Sequence, residues 1–317
     1  MSDQSATDVK GKGDNFPFLT SCSYNLYHVP YFTSRYGTGA DGSGLAESPD
    51  SLRSFEDVCA YPPNQAFVGN LDPKELPPRP WCTVPNSEGT PSKGPFGDIL
   101  TEKMLYGLIK HSDVFDLVKM ESSFAAECKT LFQQNSLCAS WDLSSFDKSC
   151  SVDEIQTAID EGALPLQTDG ALVGCVVSAH PSDKNLTAHT ILENLSSKAS
   201  AVYAVCRLLD NAGIDPEEID YIIETSEEAC GDMNQRGGGN FAKAIGELAG
   251  LKNATGSDVR SFCAGPVHGI VLAASLVKAQ TFRRVIVAAG GTTAKLAMNA
   301  RKHIKKGVPV LEDCMGS

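Results

Sequence analysis

The chain has 317 residues, room for one large or two ordinary domains, and its 42% hydrophobic content is that of a globular protein. It carries 27 Lys+Arg against 39 Asp+Glu, a formal net charge of -12, which argues against a nucleic-acid binder with its basic stripe. No apolar run approaches the roughly 18 residues of a membrane span, and the polar start MSDQSATDVKGKGDN lacks the apolar core of a secretory signal, so a cytoplasmic protein is expected.

Residues 1–13 read as a polar tail. Residues 14–169 form an N-terminal region of mixed α/β character. Its first part, to about residue 100, is dense in Pro, Gly, Ser and Asn (Pro77-Pro78-Arg79-Pro80, Pro91-Ser92-Lys93-Gly94-Pro95), which favours turns and extended segments over long helices. Residues 101–135 are helical by the spacing of Leu105, Leu108 and Ile109, with Thr101 able to cap. Ser151-Val152-Asp153-Glu154 is a capping box opening a short helix that stops at Gly162.

From residue 170 to 317 the pattern alternates. Strands are expected at 171–178, 219–224, 254–259, 284–289 and from 308. Helices are expected at 190–212, 240–251 and 264–279. Leu192, Leu195, Ala199, Val202, Cys206 and Leu209 recur at three- and four-residue steps in the first helix, and Gly213 ends it. The order β-α-β-α-β-α-β-β predicts a mainly parallel sheet covered by helices. The run RVIVAA at 284–289 is apolar on both faces, which places it centrally in that sheet.

The 11 cysteines are odd in number and scattered, and none forms a Cys-x-x-Cys pair. That pattern suits a reducing compartment and argues against a disulfide scaffold or a structural zinc site. Cys263 has the most informative context, at the junction of the third strand and the third helix in Asp258-Val259-Arg260-Ser261-Phe262-Cys263-Ala264-Gly265-Pro266. A helix N-terminus favours an anion, and thiolate is the nucleophilic form of cysteine. The backbone N–H groups of Cys263 and Ala264 could face an oxyanion, and Gly265 would let substrate approach the backbone closely. The alternative is a buried structural cysteine. Arg260 could hold phosphate or be a solvated arginine. Arg236-Gly237-Gly238-Gly239 before a helix could cradle phosphate but lacks the spacing of a nucleotide loop. His268, five residues after Cys263, falls on another helical face and reads as a packing residue. No metal-ligand spacing appears.

The arrangement of strand, Asp258-Val259…Cys263-Ala264-Gly265, apolar helix and Val285-Ile286-Val287-Ala288-Ala289-Gly290 resembles the first half of the thiolase superfamily, including the ketoacyl synthases that start fatty-acid synthesis. Longer strings resemble the beta subunits of protein C of glycine/sarcosine/betaine reductase complexes. They are 224–241, 253–258, 54–65 (SFEDVCAYPPNQ) and 112–119 (SDVFDLVK). The resemblance implies an acyltransferase-type subunit with Cys263 as the acyl-accepting nucleophile and no cofactor. The acetyl group would come from a carboxymethyl group on a selenoprotein partner and leave to phosphate as acetyl phosphate. An alpha subunit of protein C is the implied partner, in a homo- or hetero-oligomer. The resemblance also implies a second thiolase-like half that this chain lacks. A non-catalytic half-thiolase scaffold and a ketoacyl-synthase-like condensing enzyme are the alternatives.

Overall fold

A computed structural model describes residues 16–37, 45, 48–83, 89–226 and 240–317. Strand β1 (Leu26–His28) leads into three short helices, α1 (Pro30–Tyr36), α2 (Phe55–Ala60) and α3 (Pro62–Val68). Their brevity follows from the punctuation: Pro occupies the first turn of α1 and α3, and Gly69 closes α3 at φ 91°. Strand β2 (Ile99–Thr101), helix α4 (Glu102–Ser112), strand β3 (Val118–Met120) and helix α5 (Ser122–Gln134) come next. The expected single helical stretch at 101–135 is therefore two helices around a strand. Thr101 caps α4 as expected, its side chain accepting from the Met104 N–H.

Ser151 and Glu154 form a complete capping box on α6 (Val152–Asp160). Strands β4 (Leu164–Thr168) and β5 (Ala171–Val176) then form a hairpin across Asp169 and Gly170, both at positive φ (50° and 77°). This corrects the sequence reading of 171–178 as the opening strand of a parallel sheet. The Asp-Gly dipeptide demands a primed two-residue turn and folds the chain back antiparallel. The resulting sheet has the order β3-β5-β4 and is antiparallel throughout.

Helix α7 (Ala188–Ala212) ends at Gly213, which takes the left-handed conformation at φ 60°. Strand β6 (Tyr221–Glu224), helix α8 (Phe241–Leu248), strand β7 (Thr255–Asp258), helix α9 (Gly265–Lys278) and strand β8 (Val285–Ala288) follow. The three strands form a parallel sheet of order β7-β6-β8. Helix α10 (Ala300–Lys305) precedes β9 (Cys314–Gly316), which pairs antiparallel with β1; β1 in turn pairs parallel with β2.

Two expectations about this last region need correction. Strand β8 lies at the edge of the parallel sheet, with β6 in the centre. Its apolar residues face helices on both sides, Ile286 and Ala288 toward the α7/α8 core and Val287 toward Gly269 of α9. An apolar run reports cover above and below, not a neighbouring strand on each side. The segment from 308 is irregular, and the strand comes at 314–316.

The largest core crosses residue 170. Tyr27, Phe32, Leu105, Leu108, Ile109 and Phe132 from the N-terminal region pack with Ile191, Leu192, Leu195, Ala199 and Tyr203 of α7. A second core joins Val202, Val205 and Leu209 of α7 to α8, Ile222 and Ile286.

Candidate functional site

The site is built where the carboxyl ends of β6, β7 and β8 meet the start of α9. Asp258, the last residue of β7, turns its carboxylate to the N-terminus of α8 and accepts from the N–H groups of Phe241 (3.1 Å) and Ala242 (2.9 Å). The carboxylate thus satisfies donors that helix geometry leaves unpaired. Asn240 caps the same helix through the Lys243 N–H and donates to the Gly256 carbonyl, tying α8 to β7.

Arg260 is held between Asp258 (3.3 Å) and Glu224 (2.5 Å). Glu224, the last residue of β6, is fully buried, and its other carboxylate oxygen accepts from the Ser226 N–H. Burial pushes the Glu224 carboxyl up, and the Arg260 guanidinium beside it opposes that shift. The sequence readings of Arg260 did not include this pairing. It is exposed, as the solvated reading has it, and its charge also compensates a buried carboxylate. Glu224 was not foreseen. It closes an apolar strand, and only the fold shows that it is enclosed.

After Arg260 the backbone enters an unusual turn. Phe262 has φ 46°, the left-handed region that a bulky residue rarely occupies, and its side chain is 83% exposed. Phe262–Ala264 form one 3-10 turn that runs directly into α9. Cys263 therefore stands at the helix start, as the sequence indicated, but it is exposed and not buried. The Nζ of Lys295, from the turn after β8, donates to Cys263 Sγ at 3.6 Å.

The backbone role expected of Ala264 and Gly265 is corrected. The Ala264 N–H donates to the Ser261 carbonyl (3.0 Å), and the Gly265 N–H donates to the Phe262 carbonyl. Both donors are spent in closing the 3-10 turn. Gly265 is small for another reason: a Cβ there would come within 2.9 Å of the Thr225 carbonyl oxygen. His268 is exposed on α9 and does not pack as expected. Arg236, Gly237, Gly238 and Gly239 lie outside the described residues.

Burial separates Cys263 from the other thiols. It pushes the thiols of Cys59 and Cys175 up to about 11, and those of Cys128 and Cys206 up to about 12. Cys263 is the exposed one among the ten described cysteines. A cavity of about 180 Å³ bounded by Arg53, Tyr61, Trp81 and Leu311 shares no residue with this site. Among the described residues no cluster of His, Cys, Asp and Glu could hold a metal ion, and no helix is long and apolar enough to cross a membrane.

No family model matches the chain. It is 45% identical over 314 residues, 95% of its length, to the glycine/sarcosine/betaine reductase complex component C subunit beta of Peptoclostridium acidaminophilum, and it spans 61% of that relative's length. A shorter stretch of 90 residues, 28% of this chain and 27% of the relative, is 32% identical to β-ketoacyl-[acyl-carrier-protein] synthase III of Listeria innocua serovar 6a. Among solved structures, the priming β-ketosynthase of the R1128 polyketide pathway aligns over 28% of this chain and 25% of its own. The TM-score there is 0.26 and the identity 31%.

Proposed function

We propose, from the similarity to the component C beta subunit, that this chain is the acyl-carrying subunit of a cytoplasmic glycine/sarcosine/betaine reductase complex. Cys263 accepts an acetyl group as a thioester, and phosphate removes it as acetyl phosphate. The observation that carries the reading is the placement of Cys263, an exposed thiol at the start of an apolar helix, beside an ammonium group. In loading from acetyl phosphate, the direction the test uses, the thiolate attacks the acetyl carbonyl carbon, a C–S bond forms as the carbonyl C–O bond to phosphate breaks, and phosphate leaves with the electron pair. In release, a phosphate oxygen attacks the thioester carbon, the C–S bond breaks, and the thiolate returns. The two-carbon unit originates as a carboxymethyl group on the selenoprotein; its conversion to acetyl takes two electrons from a dithiol as the C–Se bond breaks and a carboxyl oxygen leaves as water, and the alpha subunit of protein C completes the acyl-transfer unit.

The outer face of α9 supports the multi-subunit part of the reading. Val267, Ile270 and Val271 are each about 60% exposed, and Phe262 beside them is more so. An apolar patch of this kind marks a protein contact, and we assign it to another subunit of the complex. The same patch would serve a non-catalytic scaffold, so the test must address chemistry. The full chain, alone and with its complex, is incubated with acetyl phosphate carrying a labelled acetyl group. A hydroxylamine-labile label on Cys263, absent from Cys263→Ser, is the expected result. No label on Cys263 in the assembled complex would leave the scaffold as the function of this chain.

A further inference from the structure

We propose that Lys295 is the counter-cation of the Cys263 thiolate, held in place by a polar stripe on α7. The inference rests on the reading of Cys263 as the nucleophile and adds the cation that faces its sulfur.

The argument starts in α7. Its sequence pattern is that of an apolar core helix, yet Ser196, Ser197 and Ser200 are fully buried in its middle. Burying hydroxyls without partners is costly, so each needs a bond that explains it. Residues 193, 197 and 200 recur at four- and three-residue steps and share one face of the helix. That face meets the loop after β8. Glu193 Oε1 accepts from Thr293 Oγ1 (2.7 Å), Ser197 Oγ donates to the Gly291 carbonyl (2.9 Å), and Ser200 Oγ accepts from the Gly291 N–H (2.8 Å). From the segment after β6, Ser226 Oγ accepts from the Gly290 N–H (2.6 Å). Gly290 lies so close to the Ser197 carbonyl that a Cβ could not be accommodated.

The loop is therefore clamped by side chains from two elements over residues 290–293. Lys295 ends the 3-10 turn Thr293–Lys295 that this clamp fixes, and buried Leu296 and Ala297 anchor the chain beyond it. Its ammonium reaches Cys263 Sγ at 3.6 Å. A long, flexible lysine has many places to go; here its backbone is immobilised within reach of the sulfur. An ammonium within hydrogen-bonding distance favours thiolate over thiol.

The other charged groups on the elements that meet here do not substitute for it. Arg260 is committed to Glu224 and Asp258. Glu193 is acidic and shared between Thr293 and His189, whose Nε2 lies 3.6 Å away. His268 is exposed on the first turns of α9. Among the described residues, Lys295 is thus the cation of this group with a contact to the sulfur.

The test is the pH dependence of Cys263 alkylation by iodoacetamide, followed by mass spectrometry on the full chain. In that reaction the S–C bond forms as the C–I bond breaks and iodide leaves. Lys295→Met should label Cys263 about tenfold more slowly near neutral pH, with the midpoint of the rate profile moved to higher pH, and Lys295→Arg should keep most of the wild-type rate. Glu193→Gln, a positioning change remote from the sulfur, should slow labelling to a smaller degree and move the same midpoint. A Lys295→Met profile that superimposes on wild type would overturn the inference, whether or not acetyl phosphate labels Cys263. Conversely, a shifted profile without acetylation would uphold the Lys295–Cys263 pair while removing the acyl-carrier reading.

Discussion

Helices α7 and α9 pack on opposite faces of the same parallel sheet and have opposite fates. Ile222 and Ile286 point into the core beneath α7 and α8, and Ile223 and Val287 point toward Gly269 of α9. Helix α7 buries 16 of its 25 residues, among them Asn194, Lys198 and three serines. Helix α9 is apolar around most of its circumference but buries only Gly265 and Gly269. Burial therefore follows what lies alongside a helix rather than how hydrophobic it is. Helix α7 is enclosed by α4, α8, β5 and β8, whereas α9 has the sheet on one side and no described element across its outer face. A helix that is hydrophobic all round is built to be covered, and that contrast is the physical basis for assigning the α9 face to a subunit contact.

The contrast can be broken first in the enclosed helix. Leu192→Ala empties a fully buried site between α7 and α4, and should cost about 3 kcal/mol in denaturant unfolding. A loss below about 1 kcal/mol would mean that α7 is not the packed centre described here. On the other face, α9 approaches the sheet through glycine. A Cβ on Gly269 would lie 2.8 Å from Val287 Cγ1 and 2.9 Å from Thr225 Cγ2. Gly269→Val should therefore cost about 2 kcal/mol by overpacking, and should also slow Cys263 labelling by lifting the helix start.

A pH effect tests the enclosed region differently. Glu102 opens α4 inside the core, and burial pushes its carboxyl up to about 8 against the Phe32 N–H that it accepts. Between the unfolded carboxylate range and about 8 the folded state binds the extra proton, so stability is present at low pH and falls as pH rises through that window. Glu102→Gln, which mimics the neutral form, should flatten the slope and gain more than about 1 kcal/mol at the alkaline end. An unchanged slope would place the titrating group elsewhere. The smallest stability effect is expected on the uncovered face: Ile270→Ser should change unfolding by less than about 0.5 kcal/mol. It should nevertheless weaken co-sedimentation with the complex, and unaltered assembly would remove the α9 contact. Self-association of the chain abolished by the same change would assign that face to a second copy instead.

Local signals in the sequence determined much of this. Ser151–Glu154, Thr101, Gly213 and the alternating apolar segments set helix starts, helix ends and element types, because caps and periodicity act within a few residues. Cys263 at a strand-to-helix junction was legible for the same reason. The hairpin at Asp169-Gly170 had a local signature too, but it is masked by an apolar run that suits a parallel strand equally well. What only the tertiary structure decided involves partners distant in sequence. Strand β8 became an edge because no strand lies beyond it among the described residues. Arg260 was drawn to Glu224 across 36 residues, and the N–H groups of Ala264 and Gly265 were consumed by a turn that depends on Phe262 adopting positive φ. Lys295 reached Cys263 across 32 residues because serines on α7 hold its loop. Hydrogen bonds and charges between remote segments leave no periodic trace in a sequence, since their spacing is set by the packing of whole elements.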